Sequence, residues 1–177
     1  MGRFIAIVAI ILIACLVSGF VIYRMITNFN SLDEQMKDFS FDTVTDEDVV
    51  EKNFSSIYKS HIEHTSSGSS GAHLMGYEKS ADSNRVRMVA ESVKGFKVFS
   101  ASKVVDAKLV LNISSEIHAG KGKIAIIQDD KILEYIDFGT TVTREYDVVG
   151  ESLILVKIVC EDAKIDLTVT REFSQLA

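Results

Sequence analysis

The sequence has no proline and no tryptophan, and only two cysteines among its 177 residues. Cys15 lies in an apolar N-terminal run and Cys160 in a strand-like run far from it, so the two are not placed to pair and the rest of the chain carries no disulfide. Small secreted eukaryotic domains are more often stapled by disulfide bridges. A bacterial cell-surface origin fits better, and the missing proline and tryptophan accord with it. An excess of base is also lacking. All 25 acidic residues lie beyond Arg24, and with Arg3 and Arg24 set aside only 17 of the 19 basic residues remain there, a balance of −8. Nucleic acid and an anionic membrane face both demand a basic patch, so neither is an expected partner of that part.

Catalytic motifs are missing as well. No Gly-x-Ser-x-Gly occurs, and Gly-Ser-Ser-Gly is found only within residues 65–71 (TSSGSSG), whose composition is that of a flexible linker or exposed loop. Gly120-Lys121-Gly122-Lys123 lacks the spacing of a phosphate loop. His61 and His64, with Glu63 between them and His73 nearby, could bring imidazoles to one face of a helix. The order His-Ile-Glu-His nonetheless departs from the zinc-protease pattern and reads as a solvated helix end. Asp129-Asp130, with Glu134 or Asp137 near, could offer oxygens to Ca²⁺, although Asp-Asp is also what a tight turn selects. Glu161-Asp162 reads as a turn in the same way. Cys160 sits in an apolar strand with no histidine nearby in sequence and reads as an inert buried thiol. Asn53 and Asn112 begin glycosylation-type triplets that are read as incidental. No catalytic residue, cofactor or metal is therefore expected, with Asp129 and Asp130 the only metal candidates retained, and the chain is expected not to be an enzyme.

What is present begins at the N-terminus. Residues 4–23 carry no charge and consist almost wholly of Ile, Val, Leu, Ala and Phe. At about 1.5 Å per residue, twenty helical residues span roughly 30 Å, the thickness of a bilayer's hydrocarbon core. Tyr23 at the end of the run suits the membrane interface. The reading is an uncleaved signal anchor over residues 1–24. Arg3 and the α-amine place the N-terminus in the cytoplasm and the remainder outside. Leu12-Ile13-Ala14-Cys15 resembles a bacterial lipobox, which would make Cys15 a lipidation site, but Leu16 and Val17 continue the apolar run beyond it. Gly19-Phe20 resembles a type IV pilin cleavage site, yet Arg24 stands where that family needs Glu.

Residues 25–83 read as a polar helical stalk and a Ser/Gly linker. Phe29, Leu32, Met36 and Phe39 recur at helical steps. Thr45 followed by Asp48 resembles a capping box. Val49, Val50, Phe54, Ile57 and Tyr58, extended by Ile62, are expected to form a second helical stripe. From residue 84 the period changes to that of strands. Strands are expected at 85–91, 95–100, 107–114, 123–128, 131–137, 141–146, 153–160 and 164–170, with a hairpin turn at Asp129-Asp130 and breaks at 120–122, Gly139 and 149–150. Seven or eight short strands without intervening helices predict an antiparallel β-sandwich over 84–177.

A resemblance adds to this. Residues 122–127 (GKIAII), an acidic turn followed by Lys-Ile-Leu, residues 150–155 (GESLIL) and residues 161–167 (EDAKIDL) resemble small bacterial membrane-anchored surface β-sandwich domains. The likeness covers about a third of the chain and implies a fold and a compartment, with no functional residue attached. The expected role is a membrane-anchored extracytoplasmic binding or accessory module. Its partners would be membrane lipid along residues 4–23 and another membrane or surface protein, or a glycan. The competing expectation is a structural envelope protein that assembles through its anchor and stalk.

Overall fold

The computed structural model describes residues 34–65 and 85–176. The chain divides into two compact units, Met1–Asp38 and Phe39–Ala177. Of the first, residues 34–37 are helical, and the Asp38 N–H donates to the Glu34 carbonyl at 3.2 Å. The expected anchor at residues 4–23, Cys15, Gly19-Phe20, His73 and residues 66–71 of the linker lie outside the described residues. Among the described residues, no helix is long and apolar enough to cross a membrane.

The second unit is mainly β and antiparallel. It opens with a single 3₁₀ turn, Phe41–Thr43, and a short helix α1, Asp46–Glu51. Four strands follow: β1 Ser55–Thr65, β2 Arg85–Gln128, β3 Lys131–Asp137 and β4 Thr141–Gln175. Two of them are very long, and their pairing resolves them into successive ladders. Residues 85–90 pair with 165–170, 95–105 with 151–160, 107–114 with 141–148, 107–119 with 164–175 and 121–128 with 154–161. β1 flanks the first of these ladders through 85–95, and β3 flanks the last through 123–128.

The ladders run into one another at residues with left-handed backbone. Gly95, Asp106, Gly120, Gly150 and Asp162 have φ of 99°, 44°, 78°, 78° and 48°, and register shifts fall at Val93/Gly95, Val105/Ala107 and Ala119/Lys121. Bulges of this kind bend a strand and increase its twist. The sequence reading expected breaks at 120–122 and 149–150. There the pairing continues through a bend, because glycine supplies a bulge as readily as a turn. Asp129 and Asp130, by contrast, do form the tight turn between β2 and β3, both with positive φ (46° and 65°) as a two-residue hairpin of this type requires.

One face of the ladders builds the main core. Met88, Leu109, Ile113, Ile124, Ile126, Ile158, Ile165, Leu167 and Val169 are fully enclosed, each worth roughly 1.5–3 kcal/mol of burial. Alternation places these residues: Ile165, Leu167 and Val169 point inward, and Asp166, Thr168 and Thr170 point outward. A second, smaller cluster lies on the outer face of the 95–105/151–161/121–128 ladder. There Phe96, Ala125, Ile127 and Val159 are covered by Phe39 and Val49 from the segment before β1.

That segment corrects the expected stalk. The helix beginning after Thr45 ends at Glu51, and residues 55–65 form a strand where a helical stripe was expected. The reason is visible at Lys59, whose φ of 46° interrupts the regular alternation. Ile57 and Ile62, five apart, would face opposite sides of a regular strand; past Lys59 both pack on the main core. The resulting spacing imitates a helix.

The capping box is present as read from the sequence. Thr45 Oγ1 accepts from the Asp48 N–H at 3.2 Å, and Asp48 Oδ2 accepts from the Thr45 N–H at 3.0 Å. The Lys52 ammonium, 2.6 Å from Asp48 Oδ1, and the Thr45 N–H together hold the Asp48 carboxyl down at about 2. A carboxylate whose folded pKa is depressed stabilises above its unfolded value of 3.8 and loses that contribution as pH falls through the folded value. Thr45→Ala is expected to cost about 1 kcal/mol in urea unfolding at pH 7. The pH-dependent part belongs to the Asp48 carboxylate itself, so the difference between an Asp48→Asn variant and wild type should shrink as the pH is taken from 5 toward 2.

Candidate functional site

The outer face of the 85–91/163–172/107–116/141–148 ladder is mostly polar, and its register aligns like residues across four strand segments, two from β2 and two from β4. One row reads Arg87, Thr168, Ser114, Thr141, and the next Arg85, Thr170, Asn112, Thr143. Within these rows Thr143 Oγ1 donates to Asn112 Oδ1 at 2.7 Å, and the Ser114 and Thr141 hydroxyls lie 3.2 Å apart. Arg87 grips Asp166 with two bonds, Nε to Oδ1 at 3.1 Å and Nη2 to Oδ2 at 2.6 Å. That contact holds the Asp166 carboxyl below its ordinary value and raises Arg87 above its own. Lys108 bridges to Glu145 at 3.1 Å and to Asp147 at 3.7 Å on the same face. Chemically the strip offers hydroxyl and amide hydrogen-bonding groups in aligned rows, bordered by ion pairs.

A second polar group sits where β3 meets the start of β4. Glu134 accepts from Arg144 Nε at 2.7 Å through one oxygen and from the Tyr146 hydroxyl at 2.6 Å through the other. Burial and the neighbouring carboxylate both push the Tyr146 phenol upward, so it stays neutral and donating. On the other face of β3, Lys123 lies 4.1 Å over the Tyr135 ring, and the Tyr135 hydroxyl donates to Asp46 Oδ1 at 2.6 Å.

Of the acidic residues singled out from the sequence, Glu134 belongs to these networks and Asp129 is held at its own turn. Asp129 Oδ1 accepts from the Leu153 N–H at 2.8 Å, and the Ser152 hydroxyl together with that amide lowers its carboxyl. Asp130 is exposed at the turn, Glu134 is committed to Arg144 and Tyr146, and Asp137 lies at the far end of β3. Among the described residues, no three His, Cys, Asp or Glu side chains come together to hold a metal ion. His61 and His64 lie on a strand, where residues three apart face opposite sides. His61 Nε2 instead lies 3.1 Å from Glu63 Oε1. Cys160 is fully enclosed, and burial pushes its thiol up to about 12, far from a reactive thiolate.

Sequence reasoning missed two buried cations. Arg171 in β4 is enclosed and donates from Nη1 to the Ala101 carbonyl at 2.7 Å and to Ser102 Oγ at 3.3 Å. Lys157 is 2% exposed and donates from Nζ to the Val50 carbonyl at 3.1 Å, near the C-terminal end of α1. The interruption of an otherwise apolar run by Lys157 was the available signal. Comparison with protein-family models, with curated proteins and with solved structures finds no match.

Proposed function

We propose that the chain is a single-pass, membrane-anchored extracytoplasmic protein of a bacterial surface, whose β unit is a non-enzymatic binding or accessory module. The bent ladders are read as the two layers of an antiparallel β-sandwich, with the main core between them. The observation that carries the binding role is the polar four-strand strip. Its hydroxyl, amide and guanidinium groups are held in register on a rigid sheet, an arrangement suited to a protein or glycan surface. The opposite outer face is partly covered by the protein's own residues 39–54, which leaves the strip as the principal open sheet face among the described residues. The uncharged run at residues 4–23 supports the anchor, and the small charge difference across it supports an N-terminus inside the cytoplasm.

Two measurements test this. Full-length protein is expected in the membrane fraction, released by detergent, and deletion of residues 1–24 should move it to the soluble fraction. Recovery of the deleted form with membranes would defeat the anchor. Intact mass distinguishes a Met1 start from a diacylated Cys15 start, which would replace the spanning helix with a lipid. For the module, Thr168→Arg is expected to abolish co-purification of a stoichiometric partner while leaving the circular dichroism spectrum unchanged. A partner that survives Thr168→Arg and disappears with residues 1–24 would favour assembly through the anchor.

A further inference from the structure

Residues 39–54 lie on the sheet without belonging to it. None of them enters a strand ladder. Apart from the junction, where the Phe96 N–H donates to the Phe54 carbonyl at 2.6 Å, their backbone–backbone bonds are local: Thr43 to Ser40, Val44 to Phe41, Val49 to Thr45, Lys52 to Asp48. Their attachment is through side chains. Phe39 and Phe54 each meet Phe96 edge-to-face at 5.3 Å, Val49 is fully enclosed, Lys121 pairs with Asp42 at 2.6 Å, and the Phe41 N–H donates to Glu161 Oε2 at 3.3 Å. Beneath them lies Lys157, 2% exposed, whose ammonium donates to the Val50 carbonyl of this same segment at 3.1 Å. The main core is built on the other face of the sheet from other residues.

We infer that residues 39–54 are a lid that opens as a unit about Phe54, uncovering an apolar face with the Lys157 amine at its centre. Opening breaks no ladder hydrogen bond and leaves the main core intact, so it is separable from unfolding. Loss of the Phe39 and Val49 contacts opposes it, as does loss of the Lys121–Asp42 pair and of the hydrogen bonds from Phe41 to Glu161, Tyr135 to Asp46 and Lys157 to Val50. Rehydration of the Lys157 ammonium favours it, because a buried cation with one carbonyl acceptor is poorly compensated for the water it gives up. The lid is thus balanced between the apolar and polar contacts that close it and the desolvation of one charge that opens it. This inference is independent of the partner proposed above.

The test uses full-length protein in detergent, pulse-labelled with the N-hydroxysuccinimide ester of acetic acid and read lysine by lysine by mass spectrometry. Amide hydrogen exchange is followed in parallel. Lys157 is expected to react roughly a hundredfold more slowly than exposed Lys103, yet faster than the β2–β4 ladder amides exchange. Phe39→Ala, which removes an edge-to-face contact, should speed Lys157 labelling about tenfold and leave ladder exchange unchanged. Labelling of Lys157 only in step with ladder exchange would make lid and sheet one cooperative unit and overturn the inference. Wild-type labelling as fast as that of Lys103 would overturn it from the other side, since the lid would then not be closed. If Phe39→Ala accelerates Lys157 labelling and ladder exchange equally, the lid is not separable and the inference fails.

Discussion

Alanine at Gly95 or Gly120 is expected to destabilise the fold by about 3 kcal/mol, whereas alanine at Gly139 or Gly150 should cost only about 1 kcal/mol. All four glycines have left-handed backbone, with φ between 78° and 99°, so the conformational penalty is common to them. What separates them is space. A Cβ on Gly95 would stand 2.3 Å from the Phe54 carbonyl oxygen, and one on Gly120 2.4 Å from that of Asp162. Both obstacles are backbone, which yields only if the ladder itself moves. At Gly139 and Gly150 nothing lies within 4 Å of the added carbon. Gly95 and Gly120 are where the long strand β2 bends, so the cost should also appear in the ladders on either side. Urea unfolding followed by circular dichroism measures the four values. Equal costs at all four positions would show that strain alone, and not close approach at the bends, decides them.

That contrast bears on what could be read from the sequence. The hairpin 123–137 was legible because every part of its signal is local: alternating residues, two aspartates suited to positive φ, and alternation again. The strand at 153–160 is legible because both of its faces are apolar, as suits a segment that pairs on both sides, with 95–105 and with 121–128. The bends at Gly120 and Gly150 were misread as ends. A glycine with positive φ looks the same in sequence whether the chain reverses or the ladder continues, and only the partner strand tells them apart. β1 was misread because Lys59 shifts its alternation. The polar strip could not be read at all. Thr168 meets Ser114, and Asn112 meets Thr143, through register, which is fixed by pairing between segments remote in the chain. The burial of Lys157 is not legible in the sequence because it depends on a lid contributed by residues more than a hundred positions earlier.

Lys157 is expected to show the widest spread of stabilities at any one position. Lys157→Met should raise stability by about 1 kcal/mol and Lys157→Glu lower it by about 4 kcal/mol. The side chain lies in the apolar layer formed by Phe96, Ala125, Ile127 and Val159, and its ammonium has the Val50 carbonyl as an acceptor. Methionine keeps the length of the stem, drops the desolvated charge and forfeits one hydrogen bond, so the balance favours it. A glutamate would bury an anion against the carbonyl end of α1, where the helix dipole is also negative. The pH dependence gives an independent check on the cause. Burial lowers the folded pKa of Lys157 below its ordinary value of 10.5. Between that folded value and 10.5 the unfolded chain therefore binds more protons than the native one, and wild-type stability must rise with pH relative to Lys157→Met. Below that window both states are charged and the penalty stands in full. The advantage of methionine should thus be greatest at neutral pH and diminish as the solution becomes alkaline, measured as the difference between the two urea midpoints from pH 7 to 10. A difference that stayed constant across that range would mean that Lys157 is hydrated in the folded protein, and that the gain from methionine came from packing alone.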